Sequence, residues 1–462
     1  MIESLVNVFK IPELRRKIFF TLLIIAVYRL GMFIPIPGTH AEYLRTLIEQ
    51  GQSGLGGGGG LRDYLSFIAR ITGGSCQPFL FALGIMPYIS ASIILQLLTQ
   101  AVPSLEKLAK EGETGRRKIN EYTRYLTVLL CLIQAAFIIN TNHFSQGGWR
   151  SDVSPFMYFL VCVTAMTAGT VFLMWMGELV DEFGIGNGIS LIIMAGIVDR
   201  LPAVGGYLRD NATMEFLSFQ SAEGKIGIET VFVIAVMFVA VIVGVVLITQ
   251  AQRRIPIQQA KHTRGRRTYG GQRQYLPLRV NQAGVIPVIF ASSLLYLPMY
   301  LFRMLADRSS GTWADSLTRE VAEVFSYGNY IYLLIYVALI FVFCYFWTAI
   351  QFQPREMADH LRDWGSFIPG MRPGRRTAEY LERVMNRITY VGSAFLAVVA
   401  ILPLVVSLLT NVPMLMTGFL GGTGLLIIVS VALDVVQRVE SHLIMRHYEG
   451  FLAEGRVHGR RG

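Results

Sequence analysis

An all-α membrane protein of ten transmembrane helices, a count that allows two pseudo-symmetric inverted halves of five, is predicted by three features: an apolar composition, the length of the uncharged runs, and basic residues that alternate along the chain. Of 462 residues, 53% are hydrophobic and 16% charged, against roughly a quarter charged in ordinary soluble domains. A soluble core cannot absorb that much apolar surface. Uncharged runs of about 20 residues suit a hydrocarbon layer of about 30 Å, where backbone polar groups must be satisfied within a helix.

Such runs place spans near residues 18–36, 77–99, 123–141, 155–176, 187–202, 229–249, 281–302, 329–350, 387–409 and 413–434. In the first, the apolar segment from Phe19 to Val27 is followed by Arg29 and shows no small-residue cleavage site, so it is read as a retained span rather than a signal peptide. The last two share a charge-free stretch of 46 residues from Ile388 to Leu433, too long for one crossing, and Asn411 and Pro413 supply the break.

Orientation follows from Lys and Arg, which are retained on the cytoplasmic side. The segments 1–17, 101–121, 250–280, 351–387 and the residues after Leu433 hold 29 of the 41 basic residues. Both termini are therefore expected in the cytoplasm. The connection around Glu178, Asp181 and Glu182 lacks basic residues and breaks the pattern. A polar stretch from Pro202 to Gly227 separates the halves, giving an N-terminal half at 1–205, a C-terminal half at 206–435 and a cytoplasmic tail at 436–462. Because five is odd, the second half enters the membrane inverted, an arrangement that often puts the working site between repeats.

The chain lacks the residue patterns of an active site. HExxH, paired-Cys, Gly-x-Ser-x-Gly and Walker sequences are missing. Cys76, Cys131, Cys162 and Cys344 are too scattered for a disulfide framework or a zinc site. Neither catalytic residues nor a cofactor or metal is expected. Span middles are nearly free of ionisable groups, which a coupled solute carrier retains despite their cost. Arg29 is the main exception and is expected to snorkel outward or pair locally. A solute carrier and a lipid-directed enzyme are the rival classes; solute uptake by the purified protein alone, or an activity abolished by one polar substitution, would reveal them.

Three stretches stand out. Leu61 to Thr72 sets Leu61, Leu65, Ile68 and Thr72 on one helical face, fitting a short helix in a cavity or on the membrane surface. Span 5 opens with Gly184-Ile185-Gly186-Asn187-Gly188; no strand precedes it, so close helix packing is expected over phosphate binding. The loop 250–280 carries Arg253, Arg254, Lys261, Arg264, Arg266, Arg267, Arg273 and Arg279 with no acid. The charge rule explains an excess of bases, but a wholly basic loop also suits docking on RNA or an acidic protein surface. In the next loop, 351–387, Arg372 stands between two Pro-Gly turn signals.

Several of these segments resemble the SecY family: Phe33 to Gly38, Phe81 to Ile93, Gly184 to Ser190, Gln252 to Pro256, Asn281 to Pro287, Pro369 to Gly374 and Gly421 to Thr423. They run in family order from the first span to the last. The resemblance implies a SecY-type channel fold and a protein-conducting pore. It implies a constriction ring of Ile85, Ile89, Ile189, Ile193, Ile289 and Ile427, and a plug near 61–75 containing Leu61, Tyr64, Leu65, Ile68 and Thr72. A lateral gate toward lipid follows, formed by spans 2 and 3 with 7 and 8, with Gln96, Gln134 and Asn281 as polar contacts. SecA and ribosomes are expected on Arg253, Arg254, Lys261, Arg264, Arg266, Arg267 and Arg372, the last set between its two turns. SecE and SecG, secretory preproteins, nascent membrane proteins and the lipid bilayer complete the expected partners, in the cytoplasmic (inner) cell membrane. The glycine-rich insert at 51–60 departs from the family pattern and blurs where the plug begins.

Overall fold

Helix lies within each of the ten expected stretches, with ends set by local chemistry rather than by hydrophobicity. The computed structural model of the chain describes residues 11–40, 79–139, 154–199, 226–259, 262–264, 267–269, 273–292, 329–410 and 423–454, with shorter pieces between them. Two compact units form: residues 1–207 with 427–462, and residues 208–426.

In the first unit, α1 is Pro12–Gly31, α2 Met86–Ala101, α3 Pro103–Lys110, α4 Glu113–Ile138, α5 Pro155–Phe183 and α6 Gly188–Val198. Helix α2 packs on α4, α4 on α5, and α5 on α6 and α1. Helix α5 starts cleanly because Ser154 accepts a hydrogen bond from the Met157 N–H at 3.3 Å and Pro155 occupies a first-turn position. It runs seven residues beyond the expected end of span 4, to Phe183. Its buried face, with Tyr158, Cys162, Met166, Gly169, Leu173, Met176, Gly177 and Val180, follows helical spacing.

Span 2 begins differently from its hydrophobic run. Residues 79–85 form turns rather than helix, and α2 starts only at Met86. Pro35 bridges Phe79, the Leu80 N–H donates to the Ile34 carbonyl at 3.0 Å, and a Cβ on Gly169 would lie 2.1 Å from the Leu80 carbonyl oxygen. That turn is therefore wedged between the end of span 1 and a glycine on α5. Around it Ile36, Ala82, Leu83, Cys131, Ala135, Ile138, Ile139, Tyr158, Cys162, Val163 and Met166 build a buried core.

The second unit opens with a short parallel pair, β1 (Ala212–Thr213) and β2 (Ile226–Gly227), followed by α7 (Ile228–Gln250). Helix α7 buries Ile234, Met237, Val241 and Val245 yet exposes Phe232, Val236, Val239, Val243 and Leu247. Apolar residues on both faces suit a helix solvated by hydrocarbon. Four helices among the described residues are long and apolar enough to cross a membrane, or five if α2 and α3 make one broken span.

The basic loop is not irregular. Strands β3 (Gln252–Gln259) and β6 (Arg273–Arg279) pair antiparallel, and β4 (His262–Arg264) pairs with β5 (Arg267–Tyr269). A third strand, β7 (Ser366–Phe367), comes from the next loop and pairs with the end of β3, giving the order β6-β3-β7. Pro256 falls before the stretch that β7 covers, where its missing N–H leaves no ladder bond unmade on that side. Helices α8 (Tyr330–Gln351), α9 (Pro354–Asp363) and α10 (Arg375–Thr410) follow β6 in the chain, with β7 between α9 and α10. Ile255, Ile257 and Leu278 from the sheet bury against Phe352, Leu361, Ile368, Leu381, Val384, Met385 and Ile388. The final helix, α11 (Thr423–Glu454), passes into the first unit from Ile427 onward.

Candidate pore constriction and docking surface

Five of the six ring isoleucines lie in the first unit; Ile289 is in the second. Ile85 is the N-cap of α2 and fully buried, and its carbonyl accepts from the Ile89 N–H at 3.2 Å, so the two stack one turn apart with Ile89 half-buried. Ile189 and Ile193 stack likewise on α6, the first half-buried against Gly177 and the second buried. Ile289 is half-buried early in the helix that begins at residue 286, and Ile427 is buried near the start of α11.

The turn leading into α6 is held from three sides. From α5, Asp181 Oδ1 accepts from the Gly188 N–H at 2.8 Å. From α1, Thr21 Oγ1 accepts from the Ile185 N–H at 3.2 Å. From α11, Arg438 Nη1 donates to the Gly186 carbonyl at 3.3 Å, while its Nε pairs with Asp434 at 3.0 Å. Asn187 then caps α6 through its side-chain oxygen and the Ser190 N–H, 3.0 Å apart. Gly186 has φ of +97°, natural for glycine, and a Cβ on Gly188 would lie 2.1 Å from the Gly177 carbonyl oxygen. Close packing, rather than phosphate binding, is thus the use of these glycines.

These contacts also account for the acidic connection that departs from the charge pattern. Glu178 takes two hydrogen bonds of 2.9 Å from Arg124 on α4, and Asp181 is committed to the Gly188 backbone. Bases from other helices serve both places, Arg124 at Glu178 on α5 and Arg438 at the turn itself. Arg29 has a local partner, Asp199 at the end of α6, and its guanidinium also sits 4.7 Å from the Phe33 ring centroid. Asp199, Thr21, Asp181 and Arg438 were not among the expected site residues. Thr21, Asp199 and Arg438 act across long sequence separations, and only Asp181, seven residues from its partner and inside the acid cluster at 178–182, left a trace in the composition.

Of the gate residues, Gln96 is exposed on α2, and Gln134 is half-buried on α4, which packs on α2. Among the described residues no hydrogen bond joins those two side chains. Asn281 is half-buried where Gly392 of α10 brings its backbone close to Val280 and Asn281. The plug residues Leu61, Tyr64, Leu65, Ile68 and Thr72 lie outside the described residues.

Arg253 and Arg254 are exposed on β3, as are Arg273 and Arg279 on β6. Arg264 and Arg267 face each other in register across the inner hairpin, while Lys261 and Arg266 lie outside the described residues. Arg372 is exposed between Gly370 (φ +86°) and Gly374 (φ +107°), its carbonyl accepting from the Thr377 hydroxyl at 3.0 Å. The sheet buries one apolar face and turns a dense, acid-free positive edge to solvent.

Helices long and apolar enough to cross a membrane, joined by a connection that folds into a cationic sheet, define a helical membrane protein. The SecY family model matches residues 80–436. Protein translocase subunit SecY of Thermotoga maritima is 42% identical over 468 residues, covering 100% of both chains. The same subunit is 43% identical in Streptomyces coelicolor, over 98% of this chain and 100% of that one, and 40% identical in Thermus thermophilus, over 100% of each. Among solved structures, a protein-conducting channel aligns with a TM-score of 0.58 at 18% identity, over 98% of this chain and 99% of that one. Sec61 in a canine ribosome-channel complex aligns at 0.55 and 17%, over the same shares. The chain belongs to the SecY family and has its channel fold.

Proposed function

We propose that the chain is the central pore-forming subunit of a protein-conducting channel, passing unfolded preproteins across the cytoplasmic membrane and releasing membrane proteins sideways into it. The observation that carries this reading is the end-to-end match to SecY translocase subunits. In this reading Ile85, Ile89, Ile189, Ile193, Ile289 and Ile427 form the constriction. Apolar branched side chains can seal around a passing chain without hydrogen-bonding to any one sequence, because apolar contact is non-directional. Residues near 61–75 act as the plug, and Gln96, Gln134 and Asn281 line a gate between the two inverted halves, 1–205 and 206–435.

The chain supplies no chemistry of its own to drive transport. Energy comes from SecA, the ribosome or the proton gradient, with SecE and SecG as small membrane partners. Cytosolic partners dock on the exposed Arg253, Arg254 and Arg372, with Lys261, Arg264, Arg266 and Arg267 of the same basic loop, and both termini face the cytoplasm. The test is a stalled secretory chain carrying a crosslinker, presented to Ile85→Cys and Ile289→Cys variants with the native cysteines replaced. Adducts at both positions are expected; no adduct at either overturns the pore assignment.

A further inference from the structure

Helix α6 has only 11 residues, all apolar or small apart from Ser190, and an apolar helix surface has no directional means of fixing its height against a neighbour. Hydrogen bonds do have direction. Those reaching its N-terminal end from other helices gather at the turn of residues 184–188: the Ile185 N–H on Thr21, the Gly188 N–H on Asp181, and the Gly186 carbonyl on Arg438, while Asp199 at its other end pairs with Arg29 of α1. Ile189 and Ile193 follow immediately. We propose that this turn is a clamp setting the height of α6, and that Thr21, Asp181 and Arg438 are positioning residues for the ring members Ile189 and Ile193. The proposal rests on the pore reading given above.

A simpler account exists for part of the cluster. Asp434 and Arg438 are four apart and would pair on any helix. That pairing does not require the guanidinium to reach a carbonyl 252 residues away. Ile185 is buried with Leu14 in a cluster completed by Ile11, Ile18, Val435, Val439 and Leu443, which seats α11 beside the turn. Asp434 and Arg438 fall on the same helical stripe as Ile427, seven and eleven residues on. The clamp thus ties α6 to a second helix that carries a ring residue.

The test uses the full chain with its copurifying partners in planar bilayers, reading ion leak through the resting channel. Losing a hydrogen bond to a charged group shifts a two-state equilibrium by roughly tenfold, so Asp181→Leu is expected to raise the leak by about that factor. Asp181→Asn keeps an accepting oxygen and is expected to restore tightness, which a change in bulk or stability alone would not do; Arg438→Met gives a smaller rise. Spin labels at Ala195 of α6 and Trp175 of α5 report the clamp directly, and Asp181→Leu should shift or broaden their distance distribution. A folded Asp181→Leu protein with unchanged label distances overturns the clamp. Ile193→Gly separates the two ideas: if it leaves the leak at its resting value the ring reading fails, and the label distances alone then decide the clamp.

Discussion

Two connections between spans, the five-residue turn at 184–188 and the basic hairpin of β3 to β6, use charge in opposite ways. At the turn and on the end of α5 that leads into it, Arg438 and Arg124 come from distant helices and hold the Gly186 carbonyl and Glu178 respectively. On the hairpin, Arg253, Arg254, Arg273 and Arg279 stay exposed while Ile255, Ile257 and Leu278 do the anchoring. A short connection that positions a helix has its polar groups satisfied within the protein. A long one that meets partners is anchored by apolar contacts and leaves its charge free.

The largest effect is expected from Gly188→Val. With the Cβ position 2.1 Å from the Gly177 carbonyl oxygen, α5 and α6 must separate, which costs about 3 kcal/mol for overpacking of this kind. Thermal unfolding of the purified protein measures it, and an unchanged midpoint would show that the turn is not tightly held. Next comes charge reversal on the hairpin. Arg253→Glu together with Arg254→Glu is expected to weaken ribosome or SecA binding by roughly tenfold or more, because two favourable charges become two repulsive ones. The unfolding midpoint should not move, since both side chains are exposed, and the deficit should shrink as salt screens the reversed charges. Native binding by the reversed variant would reduce these arginines to topology signals.

The smallest effect concerns a third connection, α3. Lys110 Nζ donates to Glu106 Oε1 at 2.7 Å, and its ammonium holds the Glu106 carboxyl below its ordinary range. A lowered carboxyl pKa means that the contribution is present above the unfolded value and lost as pH falls through the folded one. Amide exchange in α3, corrected for its intrinsic pH dependence, should therefore show slight loosening as pH falls below the ordinary carboxylate range of about 4. Glu106→Gln should remove that dependence; an identical profile in the variant would disconnect the pair from the helix.

Hydrophobicity made the spans readable because a span is a local property: each apolar run can be counted without knowing its neighbours. Helix ends were less readable. α2 starts at Met86 because residues 79–85 are held as turns by Ile34, Pro35 and Gly169, none of them near in sequence. The basic loop disclosed its charge but not its sheet, although Ile255 and Ile257, with Leu276, Leu278 and Val280, carry the period-two signal of half-buried strands. The family resemblance could indicate Ile189 and Ile193, yet the residues that hold their helix were silent, since Thr21, Asp181 and Arg438 are ordinary residues until folding brings them to one turn.

Helix α10 runs for 36 residues from Arg375 to Thr410, with Pro403 in its last third, and its first 28 residues, to Leu402, extend about 42 Å at 1.5 Å per residue. Its first turns, at Leu381, Val384, Met385 and Ile388, are the floor on which the basic sheet sits, and β7 links that sheet to the loop entering the same helix. The hairpin and the first turns of α10 therefore share one core, so that a displacement of either is passed to the other.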